Sequence, residues 1–224
     1  MLSSTDTVFL VDVDNTLLDN DRFGEDLGDR LERSFGRLQR ERYWQIFSSR
    51  RAETGIADYL GSLQLFRDGL DGDPQLLEMS AYLLEYPFGS LVYPGALAAI
   101  AHASRIGIVV VLSDGDIVFQ PHKIKRAGIW DAVDARVLIF PHKEQALDRI
   151  QERYPARRYV TVDDKPALLA AMKRILGARL TTVFVRQGHY ALAAQSNASP
   201  PPDRVIERIG ALTSLNASDL QVLS

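Results

Sequence analysis

The sequence contains no cysteine, which excludes disulfides, thiolate metal sites and thiol nucleophiles together. Any chemistry must rest on oxygen, nitrogen and bound metal. There is no excess of positive charge either: 26 Lys and Arg against 29 Asp and Glu give a formal charge of -3. No global basic field therefore recruits nucleic acid or an anionic membrane. No apolar run approaches the roughly 20 residues that span a bilayer, and residues 1–7 lack the basic and apolar segments of a secretory leader. A cytoplasmic protein without membrane or nucleic-acid partners is the expectation. What is present is ordinary globular composition, 46% hydrophobic and 25% charged over 224 residues, enough for one large domain or one domain carrying an insertion.

The organising stretch is Val8-Phe9-Leu10-Val11-Asp12-Val13-Asp14-Asn15-Thr16-Leu17. So apolar a run reads as a strand buried on both faces, with its carboxylates where the strand must end. Beyond the carboxyl ends of parallel strands is where ligands gather. The two-residue spacing places Asp12 and Asp14 on one side of a continuing strand, and a cation relieves the repulsion of two close carboxylates. A plain strand-to-loop turn would use Asp and Asn too.

After Leu18 the period changes, with Phe23, Leu27, Leu31, Phe35 and Leu38 at helical spacing. Helical patterns continue around Tyr43 and Phe47, from Ile56 to Phe66, and from Asp73-Pro74, a cap followed by proline at the first helical position. From Pro94-Gly95 onward helices and strands alternate: strands at 108–112, 137–140, 159–162 and 182–185, helices at 121–127, 143–154 and 166–176. Gly107 is expected to hold a left-handed helix cap. Residues 193–202 read as a loop and 203–212 as a terminal helix. The alternation predicts an α/β fold, a Rossmann-like parallel sheet covered by helices on both faces. Residues 1–19 and 89–224 would form this core, and 20–88 an inserted all-helical cap domain.

Further candidates end the later strands. Val109-Val110-Val111-Leu112-Ser113-Asp114 finishes in a hydroxyl, although Ser-Asp-Gly-Asp is also a good turn sequence. Lys143 opens the segment leading to the strand Tyr159-Val160-Thr161-Val162. A lysine at a helix start opposes the dipole, so an anionic partner would account for it. Lys123 and Lys125 compete for that role but fall on the wrong side of the strand at 137–140. Val162-Asp163-Asp164-Lys165-Pro166 presents two acids before a proline-started helix, where capping needs one.

In order and spacing these four motifs resemble the haloacid dehalogenase-like (HAD) hydrolase superfamily, over roughly residues 8–190. The resemblance implies that Asp12 is a nucleophile forming an aspartyl-phosphate and that Asp14 is the acid and base. It implies that Ser113 and Lys143 hold phosphoryl oxygens, with Asp114 and Arg51 as further substrate-binding candidates. Magnesium is the implied cofactor, with Asp12, Asp14 through its main-chain carbonyl, Asp164 and Asp163 as the metal residues. Asp163 stands where the commoner pattern has glycine, and the acid many members carry a few residues on is replaced by apolar Ala167, Leu168 and Leu169. Haloalkanoic acid dehalogenases in the superfamily lack an acid at the position of Asp14. The implied reaction is hydrolysis of a small phosphorylated metabolite. A phosphomutase or phosphotransferase, or a non-catalytic phospho-ligand-binding protein, are the alternatives. Residues 20–88 resemble a C1-type cap, in which Tyr43, Trp44, Arg50 and Arg51 are candidates for contacts to the leaving group. The four histidines show no metal-ligand spacing, and only His142 lies near the proposed chemistry.

Overall fold

The apolar runs form strands and the periodic segments form helices. The computed structural model describes residues 5–193 and 198–220. Strand β1 (Thr5–Val11) leads into four helices, α1 (Asn20–Phe35), α2 (Arg37–Thr54), α3 (Tyr59–Phe66) and α4 (Pro74–Glu85). Then come α5 (Ala96–Ser104), β2 (Ile108–Asp114), α6 (Phe119–Arg126), α7 (Ile129–Ala132), β3 (Val137–Phe140), α8 (Leu147–Arg153), β4 (Ala156–Asp163), α9 (Pro166–Leu176), β5 (Leu180–Val185), α10 (Gly188–Ala193) and β6 (Arg204–Ile206). Asp19, Asp58 and Asp73 cap α1, α3 and α4, each accepting a backbone N–H of the first turn.

The six strands pair in the order β3-β2-β1-β4-β5-β6, all parallel, as the alternating pattern requires. The order reverses between β1 and β4, so a crevice opens beyond their carboxyl ends. Period-two alternation divides each strand between two buried faces. Phe9, Val11, Val109, Val111, Val160 and Val162 join one apolar cluster with α1 and α5. Val8, Leu10, Val110 and Leu112 join another with α8 and α9. Both faces are covered, which is why these strands read as unbroken apolar runs.

Three local expectations are corrected. Residues 203–212 are not a helix: Arg204–Ile206 pair with β5 as the sheet edge, and a 3-10 turn follows at Ile209–Ser214. Asp203, taken as a helix start, instead accepts from the Thr182 N–H at 2.8 Å and pairs with Lys173 at 2.8 Å, pinning that edge. The helix expected from Lys143 begins as a 3-10 turn, Lys143–Gln145, before α8. Gly107 is not left-handed. Its Cβ would lie 2.3 Å from the Thr7 carbonyl oxygen, so glycine is required by close backbone approach. Of the loop expected at 193–202, residues 194–197 lie outside the described residues.

The four helices after β1 are bound to the sheet side by an aromatic cluster. The Phe23 ring lies 5.1 Å from Tyr59, 5.0 Å from Tyr86, 5.0 Å from Phe88 and 5.7 Å from Phe119, and is fully buried. Phe23→Ala is expected to remove about 3–5 kcal/mol of stability in urea unfolding monitored by circular dichroism. A loss under about 1 kcal/mol would mean that the cluster closes over the cavity.

Candidate active site

Asp12 follows β1 directly and its backbone N–H donates to the Val162 carbonyl at 3.0 Å, which ties it to the neighbouring strand β4. The residue is 3% exposed. One carboxylate oxygen accepts from Thr16 Oγ1 at 3.1 Å, and the other meets the Lys143 ammonium. Thr16 reaches back because the chain turns sharply after Asp14, with Asn15 in the left-handed region at φ 60° and accepting from the Asn20 and Asp21 N–H groups.

Lys143 is buried and central. Its Nζ lies 2.7 Å from Asp163 Oδ2 as well as against Asp12, and its backbone N–H donates to Asp114 Oδ1 at 2.9 Å. Burial opposes its charge, but Asp12, Asp163 and Asp114 more than offset that and hold its pKa above the usual lysine value. The structure thus places Lys143, the lysine singled out in the sequence, against Asp12. Lys123, on α6, reaches the same crevice and lies 2.5 Å from Asp14 Oδ1. A position two elements away in sequence returns over the sheet, which spacing alone does not reveal.

Ser113 is the penultimate residue of β2, is 1% exposed and accepts from Gln120 Nε2 at 2.8 Å. Asp163 Oδ1 accepts the Lys165 N–H at 2.8 Å. α9 carries no side-chain cap, since its N-cap residue is Lys165, so neither Asp163 nor Asp164 takes the expected cap role. Both Asp164 carboxylate oxygens are buried without a hydrogen-bond partner among the described residues. Burial, then the charges of Asp163 and Asp12, push its pKa up to about 9. Burial and Asp12 likewise raise Asp163, against the pull of Lys143.

Asp12, Asp163 and Asp164 each offer a carboxylate oxygen, all within 4.8 Å of one another. Around the crevice stand five carboxylates, Asp12, Asp14, Asp114, Asp163 and Asp164, and three ammoniums, Lys123, Lys143 and Lys165. The carboxylate oxygens of Asp12, Asp163 and Asp164 suit a hard cation. The orphaned oxygens of Asp164 are where such an ion fits.

Above these groups lies a cavity of about 550 Å³. Asp14, Asp114 and Lys165 line it together with Trp44, Phe47, Arg51 and Tyr59. Arg51 donates to the Tyr190 hydroxyl at 2.5 Å across the opening. Arg50, by contrast, is held by Asp58, and the Tyr43 hydroxyl donates to the Tyr59 carbonyl in the helical core. The histidine at this cavity is His189, whose Nδ1 lies 2.5 Å from Asp21 Oδ1. His142 instead packs its ring against Gly55. Neither His189 nor Lys165 carries a spacing signal that would have marked it.

Residues 7–175 match the family described as haloacid dehalogenase-like hydrolases. A haloacid dehalogenase-like hydrolase from Burkholderia xenovorans LB400 is 55% identical, with 97% of this chain and 99% of that one covered and a TM-score of 0.89. YfnB from Bacillus subtilis, solved bound to magnesium, shares the fold at 16% identity, covering 95% and 98% with a TM-score of 0.62. So does the L-2-haloacid dehalogenase PA0810, at 16% identity, covering 95% and 99% with a TM-score of 0.61. No curated protein matches. Among the described residues no helix is long and apolar enough to cross a membrane. With the family's matched residues spanning β1 to α9, and a relative of majority identity along its whole length, the chain belongs to the haloacid dehalogenase-like hydrolases.

Proposed function

We propose that this chain is a magnesium-dependent phosphohydrolase that cleaves a small phosphorylated metabolite through an aspartyl-phosphate intermediate. The observation that carries the reading is the buried group of Asp12, Lys143 and Asp164, in which Asp164 is left without a partner. Asp12 is the nucleophile. Its carboxylate oxygen forms a bond to phosphorus as the bond to the leaving oxygen breaks, and Asp14 gives that oxygen a proton. In the second half Asp14 takes a proton from water, the water oxygen bonds to phosphorus, and Asp12 is released with inorganic phosphate.

Lys143 and Ser113 neutralise and position the phosphoryl oxygens as charge spreads over them. The hydroxyl of Ser113 donates to its neighbour's carbonyl at 3.1 Å, so a small rotation frees it for a phosphoryl oxygen. Magnesium would be held by Asp12, the Asp14 main-chain carbonyl and Asp164, and supplies further charge neutralisation at the phosphoryl group. Asp163 Oδ1 accepts the Lys165 N–H, while Oδ2 lies 2.7 Å from the Lys143 ammonium as an ion pair without a hydrogen bond, and in this reading it orients the lysine. Asp114 does the same by accepting the Lys143 N–H. Residues 20–88 act as the cap, with Arg51 and the aromatic side chains facing the leaving group. The presence of Asp14 separates this chemistry from haloacid dehalogenation, which needs no proton donor for a departing halide.

Phosphate release from 4-nitrophenyl phosphate, sugar phosphates and nucleoside monophosphates tests the reading. Activity with magnesium, loss in EDTA, and a drop of at least about 10³-fold in Asp12→Asn are expected. Halide release from a 2-haloacid with no turnover of any phosphate ester would overturn it.

The metal assignment has its own signature. Without metal, folded Asp164 keeps its proton up to about pH 9, whereas in the unfolded chain it ionises near pH 4. The folded state binds more protons in that window, so its stability falls as pH rises. A cation displaces the proton. The magnesium-induced rise in Tm should therefore grow between about pH 6 and pH 8.5, and Asp164→Asn should abolish the growth. A shift independent of pH would place the ion elsewhere.

A further inference from the structure

Lys123 lies on α6 and is completely buried. Its ammonium donates to Asp14 Oδ1 at 2.5 Å and to Asn20 Oδ1 at 3.1 Å. Three residues earlier on the same helix, Gln120 is 4% exposed and donates from Nε2 to Asp14 Oδ2 at 3.3 Å and to Ser113 Oγ at 2.8 Å. The i, i+3 spacing puts both on one helix face. The local sequence builds this face deliberately. Asp116 accepts the Val118 and Phe119 N–H groups and so starts α6. Gly115, at φ 153°, leaves room for the Gln120 side chain, which would lie 3.0 Å from a Cβ there.

A buried ammonium carries a large desolvation penalty, and well-packed apolar replacements of buried ion pairs are often neutral or stabilising. Stability alone therefore gives Lys123 no purpose. Nor does it contact the nucleophile, which Lys143 and Thr16 hold. What it and Gln120 share is Asp14, gripped from both oxygens.

We propose that Gln120 and Lys123 are positioning residues that fix the Asp14 carboxylate for proton transfer to and from the leaving oxygen. Lys123 anchors Oδ1. Oδ2 carries only the long amide contact, and the Asp14 side chain, 26% exposed, opens onto the cavity. Oδ2 is thus the oxygen that delivers the proton: its O–H bond breaks as the bond from phosphorus to the leaving oxygen breaks and an alcohol O–H forms. Asn20 is the first residue of α1, so the ammonium also ties Asp14 to the helices of residues 20–88. This deepens the assignment of Asp14 as the acid and base, and rests on it.

The test uses leaving groups of different basicity. A good leaving group needs little protonation and a poor one needs much. Wild type, Asp14→Asn, Lys123→Met and the double variant are compared on 4-nitrophenyl phosphate and phenyl phosphate with magnesium. Lys123→Met should lower kcat on phenyl phosphate about tenfold or more beyond its effect on 4-nitrophenyl phosphate. It should add nothing to Asp14→Asn, and should leave the magnesium-induced Tm shift intact. Equal losses on both substrates, or additive losses in the double variant, overturn the inference while leaving Asp14 in its role. If Asp14→Asn itself shows no leaving-group dependence, or wild type turns over neither ester, the acid–base assignment fails and the inference falls with it. Gln120→Met keeps the ammonium and is the second variant should Lys123→Met not fold. The same selective loss on phenyl phosphate, by a smaller factor, is expected, and an unselective loss overturns the inference.

Discussion

Carboxylates crowded into a space closed to water set the terms for the rest of this molecule. Asp12, Asp163 and Asp164 meet at adjacent strand ends with their side chains almost wholly buried. Such charges cannot be left unpaired in a poorly polarisable interior. Lys143 answers two of them and is held above its ordinary pKa in doing so. Asp164 has no such answer, and burial beside two acids pushes it upward. The repulsion that makes this arrangement unfavourable in isolation is the kind that a bound cation relieves.

Everything that surrounds the group supports that arrangement. The sheet delivers Asp12 and Asp163 on neighbouring strands, held in register by the Asp12 N–H to Val162 bond. β2 places Ser113 beside them, and α6 sends Gln120 and Lys123 back over the crevice. Ser113, Gln120 and Lys123 are each bonded to another polar side chain, a condition for order in a buried polar network. The helices between β1 and β2 close the far side, and Phe23 binds them to Phe88 and Phe119. The cavity they leave is lined by aromatic side chains, Trp44, Phe47 and Tyr59, together with the charged Asp14, Asp114 and Lys165.

Much of this was readable without coordinates, and the reasons are specific. Strands buried on both faces announce themselves as apolar runs, so β1, β2, β4 and β5 were legible, as were the helices with Asp caps and proline starts. The motif residues were legible because strand ends are short and their side chains converge on one edge of the sheet. β6 was not, since three residues carry no periodicity and its pairing depends on an edge offered by β5. Gly107 was read as a cap because sequence cannot show a carbonyl from β1 pressing on it. Lys123 and His189 carry no local signal for a related reason: their partners, Asp14 and Asp21, lie 109 and 168 residues away.

By itself the sequence determined the class of fold, the order of its elements and the inventory of acids, lysine and serine at the strand ends. Those follow from local patterns, because burial of both sheet faces and the end of a strand leave their mark within a few residues. The tertiary structure alone decided which carboxylate is paired and which is orphaned, that Lys123 lies on Asp14 while Lys143 lies on Asp12, and which side chains line the cavity. Those are properties of distance and desolvation between segments far apart in the chain, and no local pattern encodes them.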